Sequence, residues 1–97
     1  MKVKAYNLRS QNGNFVPNQI KIVETKKDYI KETFQSYDTI IAKVEYKNNK
    51  RKILLDTYAL GYSRTTSKYL YKFMYMNRKE IETLIKQNKI KLTNLNK

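Results

Sequence analysis

The alternation from Asp38 to Lys47 constrains this chain more than any other stretch. Ile40, Ala42, Val44 and Tyr46 fall at every second position, the period of a strand with one buried face. Asn48-Asn49 follows, a pair that tolerates the left-handed backbone of a two-residue hairpin turn. A turn centred there pairs Val44 with Ile53, Ala42 with Leu55 and Ile40 with Thr57 on one face. The other face then pairs Glu45 with Lys52. A slip of one residue would carry the whole apolar set into water, so the register is well specified.

Other elements arrange themselves around this hairpin. Residues 2–8 and 15–24 read as another hairpin, turning at Asn12-Gly13, with Ala5 opposite Ile20 and Val3 opposite Ile22 on one side. Pro17 cannot donate to a ladder, which predicts an edge or a bulge near the turn. Thr25 and Asp28 have the spacing of a capping box. Ile30, Phe34 and Tyr37 follow at intervals of four and three, so a short helix is expected to about Gln35. After Gly61 the helical interval returns in Leu70, Phe73 and Met74, extended by Tyr69 and Met76. Asn77 with Glu80 opens a second helix that buries Ile81, Leu84 and Ile85, with Asn88 as its left-handed stop.

The expected fold is thus one α+β domain over residues 1–97. Two antiparallel β-hairpins form one sheet with helices on one face, in the order β-β-α-β-β-α-α. Lys89–Leu95 alternates weakly and leaves room for a short final strand.

Charge narrows the function classes. Among 97 residues, 21 Lys and Arg face 8 Asp and Glu, a formal net charge of +13. Such a surface attracts polyanions: nucleic acid, an anionic membrane or an acidic protein. The excess is spread along the chain, so a simply lysine-rich composition is the plain alternative. Cysteine and histidine are both absent. That excludes disulfides and thiolate metal sites, and removes the commonest general base and nitrogen ligand. No apolar run approaches the ~18 residues of a membrane span, so neither a span nor a signal peptide is expected. The cytoplasm is the expected compartment, with no metal, cofactor or membrane partner.

The leading candidate site is the run Tyr62-Ser63-Arg64-Thr65-Thr66-Ser67-Lys68, continuing to Tyr71 and Lys72. Four hydroxyl residues in five positions stand at the expected start of a helix, where unpaired N–H groups and the macrodipole favour an anion. Arg64, Lys68 and Lys72 recur every four residues on one face, suited to phosphates. Tyr71, out of phase with the apolar face, is expected to be exposed and free to stack. The predicted nucleic-acid, anion or partner contacts are therefore Tyr62, Ser63, Arg64, Thr65, Thr66, Lys68, Tyr71 and Lys72. The plain alternative is that Ser63 or Thr65 caps a helix and nothing more. Lys50-Arg51-Lys52 at the hairpin tip forms a secondary basic cluster, although lysines there also blunt edge pairing.

No catalytic residue is assigned, since no phosphate loop, carboxylate pair or nucleophile–base motif is present. One enzyme class stays open, a metal-free ribonuclease toxin using Tyr62, Arg64 and Lys68.

Two stretches carry a resemblance. Glu32-Thr33-Phe34-Gln35-Ser36-Tyr37-Asp38-Thr39-Ile40-Ile41-Ala42 and Tyr62 to Phe73 resemble the signatures of a family of small phage and prophage proteins of unknown function. There a QSY…IA strand and a YSRTTSK…F helix start recur around a hairpin. Tyr69 stands where that family often has histidine. The resemblance implies a phage or mobile-element origin and no established activity. The function expected from both lines is a small, non-catalytic binding protein engaging nucleic acid or a host nucleoprotein. A CRISPR effector or another host-defence enzyme is one such target. The alternative is an interaction or assembly module, such as a homo-oligomer, with no nucleic-acid role.

Overall fold

Five consecutive strands come first: β1 (Lys2–Arg9), β2 (Phe15–Lys26), β3 (Tyr29–Ser36), β4 (Thr39–Lys47) and β5 (Lys50–Asp56). A 3-10 turn, Ala59–Gly61, leads to α1 (Arg64–Met74), α2 (Arg78–Lys86) and β6 (Ile90–Thr93). These elements belong to a computed structural model that describes residues 1–97. The strands form one sheet in sequence order, β1-β2-β3-β4-β5-β6. Neighbours are antiparallel except β5 and β6, which run parallel. A parallel return needs a crossover, and the two helices supply it.

The β4–β5 hairpin has the expected register: Val44 opposes Ile53, Ala42 opposes Leu55, and Glu45 opposes Lys52. Asn48 and Asn49 hold φ of 52° and 65°, the left-handed pair that a twisted two-residue turn requires. The ladder stops short of Ile40 and Thr57. A bulge between Phe34 and Gln35 in the β3–β4 register leaves Ile41 without an opposite residue, and Ile41 is buried. Thr57 instead donates its N–H to the Thr93 carbonyl, 3.1 Å away.

The expected helix from Thr25 to Gln35 does not exist, and the order β-β-α-β-β-α-α gives way to β-β-β-β-β-α-α-β. Two hairpins flanking a helix are thereby replaced by a six-stranded mixed sheet. An interval of four is even, so Ile30 and Phe34 share a face in a strand as well as in a helix. Asp28 does not cap: it sits at φ 58° in a tight turn between β2 and β3. β3 then pairs along its full length with β2 and with β4. A helix here would have left both of those strands with an unpaired edge.

The first hairpin also differs from expectation. Ala5 opposes Ile22 and Val3 opposes Glu24, two residues from the expected pairing. Asn12-Gly13 is not a two-residue turn. The loop spans Ser10 to Asn14, closed by Ser10 N–H to the Asn14 carbonyl and Gly13 N–H to the Ser10 carbonyl. The register shifts between Asn7 and Arg9, so that Pro17 and Asn18 fall in an irregularity of β2. The buried side is also the opposite one. Lys21 opposes Phe34 on the helix side, which turns Val3, Ala5, Ile20 and Ile22 to the uncovered face, with Val3 exposed.

The core lies between the sheet and the helices. Phe34, Ala42, Val44, Ile53, Leu55 and Ile90 project from the sheet, and Tyr69, Leu70, Phe73, Met74 and Ile81 meet them from α1 and α2. Phe34 and Phe73 stack with ring centroids 5.6 Å apart. Asn77 closes the capping box with Glu80, its side chain accepting from Glu80 N–H at 2.8 Å. Asn88 ends the helix region at φ 59°.

Candidate functional site

The hydroxyl run at the start of α1 divides into an inner and an outer set. Ser63 is the cap: its Oγ accepts from Thr66 N–H at 3.2 Å. Thr66 points inward, is buried, and bonds through Oγ1 to Ser36 Oγ at 2.9 Å. Ser63 Oγ–H also donates to Thr66 Oγ1 at 3.2 Å. Tyr62 donates its hydroxyl to Asp56 Oδ2 at 2.8 Å. These three candidates therefore direct their polar atoms to their own chain.

The outer set is also three residues. Arg64, Thr65 and Lys68 are exposed, and none is engaged by a carboxylate. Lys72 reaches across to β1, donating from Nζ to the Arg9 carbonyl at 3.1 Å. It also lies 5.5 Å from the Tyr69 ring centroid. Tyr71 is half-buried and packs against the core rather than standing free. A cleft of about 200 Å³ adjoins the cap, between Tyr37, Thr39 and Tyr62.

Asp56 holds the same end of the sheet together. It is buried and accepts from the Tyr62 hydroxyl, the Tyr58 and Leu95 N–H groups and Asn96 Nδ2. Burial alone would raise its pKa, but hydrogen bonds from Tyr62, Leu95, Tyr58 and Asn96 outweigh that and lower it. The same partnership, after burial, raises the Tyr62 hydroxyl. Asn96 in turn brackets Ile40, accepting from its N–H at 2.6 Å and donating to its carbonyl at 2.9 Å. No motif announces this network. Its one trace in the sequence is an acid directly after the apolar run Ile53-Leu54-Leu55.

The carboxylates are largely used internally, and this shapes the surface. Glu32 pairs with Lys21 at 3.2 Å, Glu24 with Lys31 at 3.8 Å and Glu82 with Arg78 at 3.8 Å. Glu80 serves the α2 cap and Asp56 its network. Only three of the 21 cations have a carboxylate partner. Glu45 and Lys52 oppose each other in the ladder without forming an ion pair.

At the end of the sheet away from the α1 start, the topology gathers cations that are distant in sequence. The β2–β3 turn, the β4–β5 turn and the α2–β6 loop all lie there, because β6 starts beside Ile53 near the start of β5. Lys26, Lys47, Lys50 and Arg51 line a cleft of about 780 Å³. Arg51 also opens onto a second cleft of about 620 Å³, with Lys52, Lys89 and Lys91. Asp28 is the single carboxylate lining either cleft. Sequence reasoning marked Lys50-Arg51-Lys52 as a local tip. It missed Lys47, which the hairpin register itself sets opposite Lys50, and Lys26, Lys89 and Lys91, which only strand order brings alongside.

The chain belongs to a family of unknown function, DUF8033, whose family model matches residues 1–91. No curated protein matches it, and no solved structure does.

Proposed function

We propose that this member of the DUF8033 family is a non-enzymatic nucleic-acid-binding protein. The observation that carries the reading is the unneutralised surface: 18 of 21 cations have no carboxylate within 4.0 Å. Most carboxylates are turned to internal pairing, so the formal net charge of +13 is left to the surface cations. Phosphate contacts supply sequence-independent affinity and long-range steering with such a charge. No helix is long and apolar enough to cross a membrane.

The resemblance of Glu32–Ala42 and Tyr62–Phe73 to phage and prophage proteins supports a setting inside a bacterial cell. In that setting a host nucleoprotein, such as a CRISPR effector, is a composite target that nucleic-acid contacts would serve. Arg64, Thr65 and Lys68 are the parts of the α1 start available to such a partner. The ribonuclease reading is the weaker one, because the Tyr62 hydroxyl is already engaged by Asp56.

Binding of a fluorescent oligonucleotide measured against salt tests the proposal. Complex formation at about 50 mM salt and release by about 200 mM is the expected result. Absence of binding to any DNA or RNA at low salt would overturn it. A self-association reading has one observation in its favour: β1 is an edge strand, and Val3, Tyr6 and Phe15 are exposed along it and its neighbour. A dimer by light scattering, together with indifference to oligonucleotides, would establish that reading instead.

A further inference from the structure

α1 stops one row short of the cationic end of the sheet, and what it leaves uncovered includes an aliphatic and an aromatic side chain. Ile30 opposes Tyr46, and Tyr46 opposes Arg51. These three side chains form a lateral row across β3, β4 and β5, on the side that carries the helices. Ile30 is 40% and Tyr46 39% exposed. With neighbouring strands about 4.8 Å apart, the row is roughly 10 Å long. Tyr75 borders it: Tyr46, Arg51, Tyr75 and Met76 share a cleft of about 170 Å³.

Tyr75 shares an uncommon left-handed backbone with one other tyrosine, Tyr37. It ends α1 at φ 57°, ψ 36° and is 85% exposed. A left-handed helix cap is the position glycine fills without strain, and a bulky side chain there is uncommon. Packing does not account for the ring, since almost all of it faces solvent. An aromatic held where glycine would be more stable, beside a second exposed aromatic and a rim of unpaired cations, has the composition of a stacking platform.

We propose that this end of the sheet binds unpaired nucleotides of a single-stranded nucleic acid, with bases stacked on Tyr46 and Tyr75 and phosphates held by Arg51 on the same face and by Lys47 and Lys50 around the end of the strands. The inference rests on the nucleic-acid reading above and specifies its site and substrate class. A duplex keeps its base faces inside and offers only phosphate and groove edges, so it would leave an apolar-aromatic floor unused. A single strand presents both of the groups that the row and its rim complement.

The test compares one labelled single-stranded oligonucleotide, as DNA and as RNA, with the same sequence annealed to its complement. The single strands are expected to bind more tightly than the duplex. Tyr75→Gly is expected to raise the melting temperature while weakening single-strand binding about tenfold or more. A purely structural role for Tyr75 would leave affinity unchanged. Lys50→Ala with Arg51→Ala is expected to reduce the slope of log K against log salt by about 1.4. Arg64→Ala with Lys68→Ala should leave the single-strand preference in place. Duplex binding as tight as single-strand binding overturns the inference. So does a Tyr75→Gly protein with wild-type affinity, or loss of binding only in the Arg64/Lys68 variant, and in each of these cases the nucleic-acid reading survives. Failure to bind any oligonucleotide overturns both.

Discussion

Ser36 Oγ and Thr66 Oγ1 lie 2.9 Å apart across 30 residues of sequence, joining the end of β3 to the first turn of α1. Both residues are buried. The contact explains why a run of hydroxyls opens the helix: one of them caps it, and another answers a serine on the sheet. Thr66→Val keeps the shape but leaves Ser36 without its partner, and should cost about 1–3 kcal/mol in urea unfolding. Ser36→Ala combined with Thr66→Val should cost less than the sum of the two single changes.

Asp56 should make stability depend on acid. Its folded pKa lies below the ordinary carboxylate value because hydrogen bonds outweigh its burial. Its contribution is therefore complete above the unfolded pKa and is lost as pH falls through the folded one. Asp56→Asn should cost about 2–3 kcal/mol near neutral pH. The gap to wild type should narrow on acidification, which thermal melts across pH 2 to 7 would reveal.

Lys21 and Glu32 form the least exposed ion pair, 3.2 Å apart under the end of α1, with side chains 13% and 22% exposed. Burial acts to lower the Lys21 pKa, but the Glu32 hydrogen bond and charge prevail and raise it. The stabilisation is thus complete below the ordinary lysine value and fades as pH rises past the raised one. Lys21→Met alone strands Glu32 and should destabilise by about 1–3 kcal/mol. Lys21→Met with Glu32→Leu should recover most of that loss in chemical denaturation.

Gln19 is fully buried opposite Ser36, and neither atom of its amide has a protein partner. Buried amides without partners cost stability that an apolar side chain of similar shape would not. Gln19→Met is therefore expected to raise the urea midpoint with an unchanged m-value. A fall in the midpoint would show that the amide is satisfied in solution.

The sequence by itself determined those features whose cause is local. Strict alternation and an Asn-Asn turn fixed the β4–β5 register, because any slip would expose Val44, Ile53 and their neighbours together. Ser63, Asn77 and Asn88 marked helix boundaries through bonds and backbone angles that depend on residues a few positions away. Tertiary structure decided the rest. Ile30 and Phe34 fit a strand or a helix equally well, and β3 became a strand because β2 and β4 offered it two ladders. Which side of the first hairpin is buried, and whether Thr66 faces water or Ser36, depended on where the helices came to rest. Lys26 and Lys89 reach the same end of the sheet as Lys50 only because strand order places three separate turns there, a placement set by pairing across the sheet and invisible to any local pattern.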